Sequence, residues 1–211
     1  MHVLGMNFGH DSGAALISDD KVVAAINEER LSRQKMHHGF PARSIDEVLD
    51  IGGVSFADLS IIAIEGKHLT PVVTIGFDKH NSDWKKIWLG RLGLDSFLLG
   101  TTVGVGIIKT LLAPVSFLYH SRLKRRFRNN GFKGKFVFVD HHYAHAASAY
   151  YSQGKNGLAI TLDANGEGYC SKVYRCIDGE MSLLHSIPCY HSPAYYYAYI
   201  TKLLGFKPLR H

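Results

Sequence analysis

The sequence predicts an α/β protein, and three observations predict it. Short β-type runs recur along the chain, among them Val3–Asn7, Ser60–Glu65 and the FVFVD stretch at 136–140. Segments with helical spacing of apolar residues separate some of these runs. Tight-turn signals, Asp19-Asp20 and Asp178-Gly179, join others into hairpins.

The elements follow in order. Val3–Asn7 leads through a glycine-containing turn, 8–13, into an extended Ala14–Ser18. Asp19-Asp20 turns the chain back into the β-branched Val22–Ile26. Pro41 opens a helix in which Ile45, Val48 and Leu49 share a face, and Gly52-Gly53 ends it. Ser60–Glu65 reads as a buried strand. The stretch 97–119, with Lys109 as its one charge, is long enough to cross a bilayer but carries four Gly or Pro residues. It is expected to form buried or groove-lining helices, with membrane contact through 97–135 as the alternative. Regular signals return with the strand 136–140, a helix His142–Gln153, a strand Gly157–Asp163, the turn ANGEG and a hairpin over 169–186. A tyrosine-rich helix Ala194–Leu204 follows, with Gly205 as its cap. The organisation is thus 1–65, a variable insertion 66–135, and 136–211.

Bulk properties narrow the function. The chain has 211 residues, 46% apolar and 20% charged, a globular composition. Net charge is +6, but the segment 120–135 alone holds seven Lys or Arg and no acid, and the remaining 17 basic and 18 acidic residues nearly balance. This local patch lacks aromatic interleaving, so no nucleic-acid partner is expected. Cys170, Cys176 and Cys189 fit no zinc or redox spacing, and an odd number cannot all pair internally. With no signal peptide evident, the reading is a cytoplasmic protein with reduced thiols.

The chemistry concentrates in DHHYAHAASAYY. His141 and His145 are four apart on a helix, so both imidazoles can serve one divalent cation such as Fe²⁺, Zn²⁺ or Mn²⁺. His142 and His145 form a second possible pair, although His142 suits a substrate-contacting or supporting role better. Asp163, ending the strand GLAITLD, is the candidate acidic ligand. It would share a rim with the histidines if strands 136–140 and 157–163 were neighbours. The turn 164–168 offers backbone N–H groups to an anion. In NFGHDSGAAL, Gly9 and Gly13 surround His10, Asp11 and Ser12, which reads either as an anion cradle with an acid or base in it or as a hairpin with polar tips.

Taken in order, GMNFGHDSGAALISDDKVVAAINEERLSRQKM, DHHYAHAASAYY, TLDANGEG and YITKLLGFKPLRH resemble the O-carbamoyltransferase family of nodulation-factor, cephalosporin and aminoglycoside carbamoyltransferases. The same core is similar to part of the hydrogenase maturation factors and of the tRNA threonylcarbamoyladenosine enzyme. The resemblance implies the N-terminal part of the actin-like ATPase fold shared with sugar kinases and Hsp70. It implies ATP and carbamoyl phosphate as substrates, carbamoyl adenylate as the intermediate, and a small-molecule hydroxyl as acceptor. It also implies a divalent metal, commonly iron, held by His141, His145 and Asp163. By the same resemblance Gly166, Glu167 and Gly168 lie near the nucleotide, His10, Asp11 and His142 are catalytic candidates, and Arg33 and Lys35 hold phosphate or carbamoyl. The family continues beyond Lys207–His211, so the chain is expected to be an N-terminal fragment, inactive alone and able to oligomerise through its uncovered face.

Three rivals remain on residue grounds, one of them a non-catalytic binding or membrane-associated module built around 97–135, or an inactive remnant. A sugar-kinase-like phosphotransferase would want oxygen-rich Mg²⁺ coordination, not an imidazole pair. A zinc hydrolase would want HExxH, but His142, Tyr143 and Ala144 stand between the two histidines.

Overall fold

The computed structural model describes residues 1–9, 11–67 and 100–206. His10, the segment 68–99 and the closing 207–211 lie outside the described residues, and with them the expectations placed on His10 and on that part of the insertion. The chain forms two compact units, interleaved in sequence: 1–67 with 114–140, and 68–113 with 141–211.

In the first unit, strands β1 (His2–Asn7), β2 (Gly13–Ser18) and β3 (Lys21–Asn27) form an antiparallel meander. β4 (Leu59–Glu65) and β5 (Lys135–Val139) extend it in parallel, giving the order β3-β2-β1-β4-β5. This is an α/β unit, as predicted. Alternation builds it: Leu4 and Met6 on β1, Ala14 and Leu16 on β2, and Ile62 and Ile64 on β4 are buried. Asp19 and Asp20 both take positive φ, the geometry of the two-residue hairpin turn their sequence signals.

Short helix α1 (Glu28–Ser32) follows β3, and α2 (Ala42–Gly52) packs Ile45, Val48 and Leu49 into the same core. Each such burial stabilises the unit by about 1.5–3 kcal/mol. Gly53 at φ 62 closes α2: its N–H donates to the Asp50 carbonyl and the Val54 N–H to that of Leu49. Pro41 supplies no side-chain cap at the other end. The Glu28 carboxylate does so from a distance, accepting from the Ser44 N–H at 2.8 Å, the Ser44 hydroxyl at 2.9 Å and the Arg43 N–H at 3.3 Å.

Most of the apolar run, from Thr102, and the basic segment as far as Asn129 form one helix, α3 (Thr102–Asn129), which passes from the second unit to the first at Pro114. Of the two settings expected for this stretch, buried or groove-lining, burial is corrected to broad exposure. By length and composition α3 could cross a bilayer, but only 22% of its most apolar window is buried. Val105 and Ile108 face inward, whereas Val103, Leu111, Phe117 and Leu118 are exposed. Its buried Phe127 joins the first unit's core. The basic tail is largely solvated helix, with Arg126 stacked on Phe40 at 3.7 Å.

In the second unit, α4 (His141–Gln153) lies on an antiparallel sheet of β6 (Gly157–Gly166), β7 (Tyr169–Ile177) and β8 (Glu180–Pro188). Ala146 and Tyr150 of α4 pack with Tyr174 and Cys176 of β7. Asp178 at φ 50 and Gly179 at φ 85 make the predicted tight turn. A single helical turn, Cys189–His191, leads into α5 (Pro193–Leu203), capped by the Ser192 hydroxyl and followed by Gly205 at φ 83. All three cysteines are free and buried. Two expectations are corrected. Strands β5 and β6 are not neighbours, because they belong to different sheets. The ANGEG turn is tighter than expected, since β6 runs on to Gly166 and only Glu167 and Gly168 turn the chain.

Candidate metal centre

Three side chains of the second unit converge. His141 opens α4 and His145 follows one turn later, so both rings project from one face. Asp163 comes from β6, where the pairing with β7 shifts register between Leu162 and Gly166. Such a bulge frees residues from the ladder and re-aims their side chains. The Asp163 carbonyl is held separately by the Ser192 hydroxyl at 3.0 Å. The expected convergence therefore exists, but a helix packed on an antiparallel sheet produces it, not two adjacent parallel strands.

His141 Nε2 lies 2.6 Å from Asp163 Oδ2 and 3.1 Å from His145 Nε2, and His145 Nε2 lies 3.7 Å from Asp163 Oδ2. One ligand atom from each residue thus falls within 4.8 Å of the others. Ligands about 2.0–2.2 Å from a common ion are separated by roughly 2.8–3.6 Å in tetrahedral or octahedral arrangement. The three distances bracket that range. Two imidazoles and one carboxylate with open positions suit Fe²⁺ or Zn²⁺. Hydrogen bonding to His141 first, and to His145 second, holds the Asp163 carboxyl well below the usual carboxylate range despite partial burial. Exposure rises from 21% at His141 to 58% at His145, so the centre opens on the His145 side.

His142 points elsewhere. It is fully buried, with Nε2 donating to the Tyr169 carbonyl at 2.9 Å and Nδ1 hydrogen-bonded to the Thr161 hydroxyl at 2.8 Å. Both ring nitrogens are engaged and the ring is shut off from solvent. This geometry gives His142 a part in fixing α4 on β6 and β7.

The turn after β6 touches the centre directly. Gly166 lies against the His141 ring: a Cβ there would sit 2.0 Å from Cδ2. Glu167 is buried, and its Oε1 accepts the His141 backbone N–H at 3.3 Å. Gly168 donates its N–H to Asn165 Oδ1 at 3.0 Å, and Asn165 Nδ2 is buried without a hydrogen-bond partner. Sequence reasoning missed Thr161, Asn165, Lys109 and Ser192. Lys109 alone gave a signal, as the one charge in an apolar run. Asp11, Arg33 and Lys35 belong to the first unit. Asp11 takes a left-handed conformation, φ 57, as does Arg33, φ 59, at the end of α1. Arg33 and Lys35 are exposed. Beside Asp11, Ser12 is buried and bonded to His37 Nδ1 at 3.0 Å, which ties the turn to the segment after α1.

The chain is similar to several known proteins. An uncharacterised protein of Synechocystis sp. is 27% identical over 98% of this chain, which covers 32% of that protein. The nodulation protein NolNO of Sinorhizobium fredii is 29% identical over 94% of this chain and 26% of its own length. The chain therefore spans between about a quarter and a third of the length of these curated relatives. Among solved structures, YeaZ from Pseudomonas aeruginosa is 16% identical, with a TM-score of 0.44 over 89% of this chain and 69% of that one. The model of the carbamoyltransferase N-terminus matches residues 2–210, so the chain belongs to the carbamoyltransferase family.

Proposed function

We propose that this chain carries the metal side of an O-carbamoyltransferase, which uses ATP and carbamoyl phosphate to place a carbamoyl group on a hydroxyl of a sugar or natural product. The observation that carries the proposal is the triangle of His141, His145 and Asp163. Family membership gives carbamoyl transfer as the reaction class. A divalent ion at the triangle, Fe²⁺ by preference, would supply Lewis acidity toward a phosphoryl or carbamoyl oxygen and offset the charge of two anionic substrates. The chain's own residues prepare that site. The depressed Asp163 carboxyl stays ionised at neutral pH, and an imidazole bound to a metal adds no charge of its own. The donor set thus leaves net positive charge on a 2+ ion, which favours an anionic substrate over a neutral one. His142, bonded at both nitrogens, keeps α4 in register on its sheet. In this reading Arg33 and Lys35 engage phosphate or carbamoyl, and His10 or Asp11 acts at the acceptor hydroxyl.

The test supplies the protein carrying this domain with ATP, carbamoyl-labelled carbamoyl phosphate and a panel of sugars. The expected result is pyrophosphate release and label on the acceptor, abolished by chelation and restored by Fe²⁺. Asp163→Ala should lower the rate by more than ~100-fold, since even outer partners of a metal ligand cost 10–100-fold. Phosphate on the acceptor without label would instead support the kinase reading.

A further inference from the structure

The Gly166-Glu167-Gly168 turn is wedged between two helices of the second unit. At Gly166 an added Cβ would overlap the His141 ring of α4, and at Gly168, φ +89, it would sit 2.7 Å from Val105 Cγ1 of α3. Between these glycines stands a glutamate at φ 52, a backbone region that side chains other than Asn, Asp and His rarely adopt. Glu167 is nonetheless 8% exposed, and its carboxylate reaches both helices. Oε1 accepts the His141 N–H at 3.3 Å, and Oε2 lies 3.8 Å from Lys109 Nζ on α3.

We infer that Glu167 and Lys109 are a positioning pair for the metal centre, fixing the backbone of His141 and thereby the placement of its ring against His145 and Asp163. The inference rests on the metal reading above and gives the turn a different role from holding nucleotide. The N–H at the start of a helix has no intrahelical partner, and a carboxylate there also complements the helix dipole. A buried carboxylate needs a compensating charge, and Lys109, only 15% exposed at its side chain, supplies it. Lys109 is itself placed 4.8 Å from the Tyr169 ring. The Asn165 amide closes the turn onto Gly168, holding Glu167 in its strained conformation. The first unit uses the same device where Glu28 caps α2. At the start of α4 the capped residue is also a ligand, so error in the cap becomes error at the ion. Ligand sets tolerate only about 0.5 Å of misplacement.

The test titrates cobalt(II) alone into wild-type chain, Glu167→Ala, Glu167→Gln and Lys109→Met, reading affinity by chelator competition and geometry from the cobalt d–d bands. Glu167→Ala should weaken binding by ~10–100-fold and alter the bands. Glu167→Gln keeps an acceptor for the His141 N–H and should lose less, and Lys109→Met should fall between wild type and Glu167→Ala. Wild-type affinity and bands in a folded Glu167→Ala would overturn the inference alone. If Glu167→Ala does not fold, unchanged binding in both Glu167→Gln and Lys109→Met overturns it equally. Failure of the wild-type chain to bind cobalt would remove the metal reading and this inference together.

Discussion

Gly166 lacks a side chain because the His141 ring occupies the space where a Cβ would go. Gly166→Ala must therefore push that ring off its line to Asp163. The expected cost is ~1–3 kcal/mol of stability, typical of overpacking a filled site, together with weaker metal binding. Thermal melts and a metal titration on the same sample check both parts. The histidine pair was legible because i and i+4 spacing is enough to place two rings on one helix face. Asp163 was legible by residue type and position, yet its route into the site was not, since the Leu162–Gly166 register shift leaves no mark on sequence periodicity. His142 could not be separated from its neighbours by sequence: three histidines in five residues look alike until burial and two hydrogen bonds single one out. Lys109 stood out only as an isolated charge, and its partner lies 58 positions away in Glu167.

Among the elements, α2 shows how a helix can be readable along its length and unreadable at its start. Ile45, Val48 and Leu49 give the face and the glycine pair gives the end, both local features. Its cap is Glu28, well upstream in sequence, and no local pattern announces it. Glu28→Ala leaves the first-turn N–H groups of Arg43 and Ser44 without this acceptor. It should destabilise the protein by ~1–3 kcal/mol, the cost of leaving buried donors unsatisfied. Glu28→Gln, which keeps acceptor oxygen, should cost less, and urea denaturation of the two variants ranks them. Helix α3 was the opposite case. Its glycines and Pro114 argued for interruption, and its apolar content argued for burial, yet the chain runs helical through both and leaves Leu111 and Phe117 in the open. Propensity is a weak prior, and the helix runs through Gly104, Gly106 and Pro114 despite it.

At the scale of the whole molecule, His120 links stability to pH. Its ring stacks on Phe138 at 3.8 Å, donates to the Gly66 carbonyl at 3.2 Å, and is held below its ordinary value of 6.5 chiefly by burial. Below that value the unfolded chain takes up a proton that the folded chain resists, so this contribution is complete above pH 6.5 and is lost as pH falls. One proton sets a ceiling of about 1.4 kcal/mol per pH unit, and a ring still partly in water gives less. Denaturation curves from about pH 7.5 to about pH 5.5 should show a shallower fall in His120→Phe than in the wild-type chain. The α/β class was legible at this scale because alternation and turn chemistry are local. The interleaving of two units was not, because it depends on which distant strands pair. That interleaving also bears on how the protein is made. Strand β4 ends at Glu65, and its parallel neighbour β5 begins only at Lys135. A ribosome adding ~5–20 residues each second needs on the order of 3–14 s to deliver the missing edge. Through that interval Ile62 and Ile64 wait in a nascent sheet with an open side, where a holding chaperone would find them.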